Sequence, residues 1–84
     1  MAKNWYREAL EAIGMRGPRS RIRNKLNAVS THSSDARLRE LALEVIRALD
    51  ATQASTDAIS VREMRSVKTE NLQSHCRANG YTSP

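Results

Sequence analysis

The stretch DARLRELALEVIRALDA, residues 35–51, decides the fold. Within it Leu38, Leu41, Ala42, Val45, Ile46 and Leu49 recur at i, i+3, i+4, i+7, i+8 and i+11. That spacing places side chains on one stripe of an α-helix, whereas a strand would scatter them over both faces. Arg37, Glu40, Glu44 and Arg47 fall outside the stripe with both signs mixed, and each i,i+3 pairing among them is worth about 0.2–0.5 kcal/mol. Asp35 puts a carboxylate in the first turn, where the helix dipole favours negative charge. A helix this regular has to bury its stripe against something, so the flanking sequence is read for elements that cover it.

Toward the N-terminus, Asn4 is a good N-cap for a helix ending near Gly14. Trp5, Ala9, Ala12 and Ile13 lie on one stripe and Leu10 sits beside it. Gly14 is expected to stop that helix in the left-handed conformation. Gly17 then flexes the chain and Pro18 opens a second helix at its first position. Ile22, Leu26 and Val29 supply its stripe at i, i+4 and i+7, and STHSS (30–34) forms a polar connector.

Toward the C-terminus, ATQASTD (51–57) is a linker of small residues. Ser60-Val61-Arg62-Glu63 has the form of a capping box, with Ile59 and Met64 as its hydrophobic staple. Asn79-Gly80 marks a left-handed stop that would turn Tyr81 back toward Cys76. Between these ends the apolar stripe is thin: Val61, Met64, Val67 or Lys68, Leu72 and Cys76. Such a helix is suited to docking on a partner or on a second copy of the chain. Thr69 offers a second start, which would split the segment into 61–67 and 70–78 in the manner of a helix-turn-helix. The expectation is an all-α fold, one small domain over residues 1–84. It is a bundle of three to four helices near 4–14, 18–29, 35–51 and 60–79, with 82–84 loose and the third helix supplying most of the core. With one Trp, two Tyr and no Phe, that core is aliphatic.

The residues also exclude several kinds of chemistry. A single cysteine, Cys76, permits neither an internal disulfide nor a multi-thiolate metal site. His32 and His75 stand forty-three residues apart, without metal-ligand spacing. His75 and Cys76 are adjacent, so on a helix they point about 100° apart and cannot pair as base and nucleophile. No glycine-rich phosphate loop is present. A non-enzymatic protein without metal or cofactor is expected. No apolar run approaches the roughly 18 residues that a spanning helix needs. The N-terminus carries two carboxylates and no continuous apolar segment, unlike a secretory signal. These features suggest a cytoplasmic protein with no membrane partner.

The net charge of +5 is unevenly distributed, with +5 over residues 1–34, −2 over 35–57 and +2 over 58–84. MRGPRSRIRNK (15–25) carries Arg16, Arg19, Arg21, Arg23 and Lys25 inside a window from Glu11 to Asp35 that holds no acid. Four of the five are arginine, whose planar fork matches phosphate and carboxylate geometry. One reading is a solvated helix face; the other is a surface that holds a polyanion, reinforced by a helix N-terminus at Pro18. Lys68 and Arg77, beside Asn71, Gln73, Ser74 and His75, extend the second reading, because these residue types reach phosphates or base edges. Trp5, Tyr6 and Tyr81 are candidate interface anchors, but Trp5, the one large ring available, is expected first to fill the core.

The function expected is regulation of a nucleic-acid process such as transcription, by direct contact through the arginine-rich face. The competing expectation is a protein-binding adaptor or inhibitor. It would dock the same basic face on an acidic surface of a host machine such as RNA polymerase or a CRISPR effector. Small, basic and helical, the chain resembles in its proportions the small regulators carried by phages.

Overall fold

The structure, a computed structural model, describes residues 3–15, 17–51, 58–59 and 69–81. Among these, four helices follow in order: α1 (Trp5–Gly14), α2 (Arg19–His32), α3 (Ala36–Ala51) and α4 (Glu70–Ala78). The fold is all-α, a small helical bundle. The stripe of residues 35–51 is buried as its spacing requires, and α3 contributes six core residues, more than any other described helix. Ile22, Leu26 and Val29 of α2, Ala9, Leu10, Ala12 and Ile13 of α1, and Leu72 and Cys76 of α4 close around it. None of the described helices is long and apolar enough to cross a membrane.

Several boundaries differ from the sequence expectation, each for a local reason. Asn4 does cap α1, its side chain accepting the Arg7 N–H at 3.2 Å. Gly14, however, is the last helical residue and does not adopt positive φ; the helix ends because Met15 swings to an extended conformation. Pro18 occupies the N-cap position of α2 and not its first turn. The second helix also runs on through His32, past the expected end near 29. There the Ser30 and Thr31 hydroxyls fold back onto the Asn27 carbonyl, both at 2.8 Å, and these residues are helical where a connector was expected. The connector is thereby cut to Ser33–Asp35, and Asp35 becomes the N-cap of α3.

At the other end, α4 starts at Glu70, so the helix expected over 60–79 is not continuous through Thr69. Thr69 stands at the N-cap position but its side chain makes no capping bond. The stop at Gly80 holds: φ is 91° and Gly80 N–H donates to the Arg77 carbonyl. Tyr81 N–H donates to Cys76, completing the Schellman pair at 3.0 Å each. The capping box, the helix-turn-helix reading of 61–78 and the loose end at 82–84 lie outside the described residues.

One pairing was not anticipated. Gly17–Pro18 and Ala58–Ile59 form a two-residue antiparallel ladder, Gly17 opposite Ile59 and Pro18 opposite Ala58. Ile59, expected as a staple residue, thus has its backbone tied to the α1–α2 connection. Proline lacks an N–H, which fits so short a ladder.

Candidate functional site

Three clusters of side chains stand out: a polar junction at Asp35, the basic run on α2, and an aromatic groove.

Asp35 joins three helices through one carboxylate. Its Oδ1 accepts the N–H groups of Arg37 (2.9 Å) and Leu38 (3.2 Å), satisfying first-turn donors of α3. Its Oδ2 accepts the Tyr6 hydroxyl of α1 at 2.5 Å and lies 2.7 Å from His75 Nε2 of α4. The Tyr6 hydrogen bond, then that of His75, hold the Asp35 carboxyl well below the usual carboxylate range. An ionised carboxylate only accepts, so the proton of this contact sits on His75 Nε2. The same bond, with some burial, pushes the Tyr6 phenol up to about 12. Burial first, and the Asp35 charge second, push the Cys76 thiol up to about 11, and its Sγ faces the Tyr6 carbonyl at 3.8 Å. A buried thiol of this kind is a poor nucleophile. The cluster's evident work is to tie α1 and α4 to the start of α3. Sequence reasoning missed it: only the N-cap position of Asp35 has a local signal, since Tyr6 and His75 lie 29 and 40 residues away.

The basic run is divided by the fold. Lys25 bridges to Glu8 (3.0 Å) and Glu11 (2.9 Å) of α1, which raise its pKa through their hydrogen bonds. Arg23 makes a forked contact with Asp50 at the end of α3, Nε to Oδ1 at 3.0 Å and Nη2 to Oδ2 at 3.3 Å. The acid-free window of the sequence is therefore not acid-free in space. Arg19 is half-buried at the first residue of α2. Arg21 is exposed and forms no ion pair among the described residues, and Arg77 is exposed in the last turn of α4. Arg16 and Lys68 lie outside the described residues.

The three aromatic residues come together at the far end of the bundle. Tyr6 and Tyr81 stack with centroids 5.1 Å apart and planes 10° from parallel. Trp5 is half-buried at the edge of the core instead of filling it; it stacks on His32 at 5.8 Å, and Lys3 Nζ stands 5.8 Å from its centroid. Between Trp5 and the tyrosine pair opens a groove of about 300 Å³, with Lys3, Asn4 and Ser34 among its polar margin. The expected anchors Trp5, Tyr6 and Tyr81 thus form one surface. Among the described residues, no group of three or more His, Cys, Asp or Glu is placed to hold a metal ion.

Compared with known protein families, curated proteins and solved structures, the chain matches none.

Proposed function

We propose that this chain is a small non-enzymatic regulator that contacts nucleic acid directly through the start of α2. The observation that carries the reading is the makeup of that helix end. Its first turn holds the exposed Arg21 beside the half-buried Arg19 and has no carboxylate of its own, and its N-cap Pro18 makes no side-chain bond to the first-turn amides. Backbone donors and the positive end of the dipole therefore add to the guanidinium charge. Arg16, which precedes this turn in the sequence, is counted in the same proposed footprint; Lys68 lies outside the described residues, and Arg77 stands at the other end of the bundle, one turn before Tyr81. Arg23 and Lys25 contribute less, because Asp50, Glu8 and Glu11 already offset their charge.

A footprint of about three phosphates gives a log–log salt slope near −3, shallow beside that of dedicated duplex binders. A gel-shift or anisotropy titration at low salt tests the reading. The double substitution Arg19→Glu/Arg21→Glu should weaken binding at least tenfold, about 1.4 kcal/mol, while the helical circular dichroism is retained. Failure of the wild-type protein to shift DNA or RNA at low salt would remove the proposal. A stoichiometric protein recovered from nuclease-treated lysate, and lost with the same substitutions, would instead establish docking on an acidic protein surface.

A further inference from the structure

The chain has only three aromatic residues, and all three line one groove. Large rings are the most effective fillers of a core, yet the core here is built of aliphatic side chains and Cys76, while Trp5, Tyr6 and Tyr81 are half-buried at its margin. The Tyr6–Tyr81 stack is nearly parallel and presents a flat surface. Lys3 Nζ is held beside the Trp5 ring. Asn4 spends its Oδ1 on the α1 cap, which leaves its amide donors for a ligand acceptor, and Ser34 adds an exposed hydroxyl. The lining has one cation and no carboxylate. A volume of about 300 Å³ sits at the small end of ligand sites and suits a single planar group.

We propose that this groove takes an unpaired base of a single-stranded nucleic acid, packed against the Trp5, Tyr6 and Tyr81 rings, with the adjoining phosphate on Lys3. The inference rests on the nucleic-acid reading above and narrows it to single strands. Stacking on aromatic side chains contributes about 1–3 kcal/mol per base and tolerates any sequence, because every base has a π-face. A duplex would have to extrude a base to enter, at a cost of a few kcal/mol. The groove adjoins Ser34, just beyond the C-terminal end of α2, so it lies about one length of that 14-residue helix, roughly 20 Å, from the arginines at its start. The two sites can therefore be tested separately.

Trp5 is the sole tryptophan, and its emission reports on the groove directly. The full chain is titrated at low salt with oligo(dT) and oligo(U) of about 16 nucleotides, at the upper end of site sizes for small single-strand modules. A duplex of equal length serves as the comparison, and anisotropy of the labelled nucleic acid is read in parallel. Saturable quenching by the single strands and little by the duplex is expected, with affinity at least tenfold lower in both Tyr81→Ala and Lys3→Ala. Lys3 precedes α1 and is exposed, so its variant guards against a folding artefact at Tyr81. Unchanged affinity in both folded variants would overturn the groove. So would binding seen by anisotropy that leaves Trp5 emission unaltered and is lost only in Arg19→Glu/Arg21→Glu; that result would leave the basic-face reading standing. No binding of any nucleic acid would remove both. Quenching by polyglutamate in preference to the oligonucleotides would assign the groove to an acidic protein partner and overturn the proposal.

Discussion

Removing the Asp35 carboxylate should cost more stability than any other polar substitution in the described part of the chain. Asp35→Ala deletes an N-cap, which typically costs about 1 kcal/mol. It also deletes the acceptor of two charge-assisted hydrogen bonds, from Tyr6 and His75, each worth about 1.5–3 kcal/mol. These contributions do not add fully, because all act through one carboxylate, and a side chain 21% exposed lets water replace part of what is lost. A loss of about 3–4 kcal/mol is expected, a large share of the roughly 4–12 kcal/mol that a domain of this size holds. Asp35→Asn keeps a cap oxygen and should lose about half as much.

Urea denaturation followed at 222 nm at neutral pH measures both through the shift in midpoint at constant slope. The pH dependence gives an independent check. The folded carboxyl titrates below its unfolded value of about 3.9, so its contribution is complete above that value and is lost as pH falls through the folded pKa. Wild-type stability should therefore fall more steeply than that of Asp35→Asn below about pH 4. Tyr6 works in the opposite direction. Its folded pKa, about 12, exceeds the unfolded value near 10, so its contribution is complete below about pH 10 and is lost as pH rises toward 12. Tyr6→Phe should remove the Tyr6 share of that alkaline loss and leave the share of the Cys76 thiol, which is also raised. A change under about 0.5 kcal/mol for Asp35→Ala, the scale of an ordinary surface substitution, would refute the junction.

Three further outcomes follow from the packing. Gly14 is helical and an added Cβ meets nothing within 4 Å, whereas Gly80 holds a φ of 91°; Gly14→Ala should stabilise by about 0.5–1 kcal/mol and Gly80→Ala destabilise by about 1 kcal/mol or more, a sign difference readable in thermal melts. Leu41 is 2% exposed in the centre of the α3 stripe, so Leu41→Ala should cost about 2–5 kcal/mol in the same urea assay, and a silent substitution would contradict the core. Cys76 is fully buried with its thiol pushed up to about 11; alkylation at neutral pH should proceed only through opening of α4, and should accelerate in Asp35→Ala.

Much of this architecture could be read from residue order alone. The Leu38–Leu49 stripe, the cap at Asn4 and the stop at Gly80 are local patterns, and each appears where its spacing placed it. The errors share a cause. Ser30 and Thr31 are residue types that serve both as caps and as helical residues bonded back to the previous turn, and the choice depends on what the next segment packs against. Gly14 has the freedom to adopt positive φ but no need to, because Met15 makes the turn.

The sequence by itself determined the helical class, the identity of the core helix and the aliphatic nature of the core. These depend on periodicity and composition, and a period of 3.6 is written within a dozen residues. Tertiary structure alone decided which charges are spent. Arg23 and Lys25 meet carboxylates 27 residues later and 14 to 17 residues earlier in the chain, and Asp35 gathers Tyr6 and His75 from two other helices. It also decided that the three aromatic residues share one groove. An ion pair or a ring stack forms through a few ångströms of space, and separation along the chain carries no measure of that distance until the helices have docked.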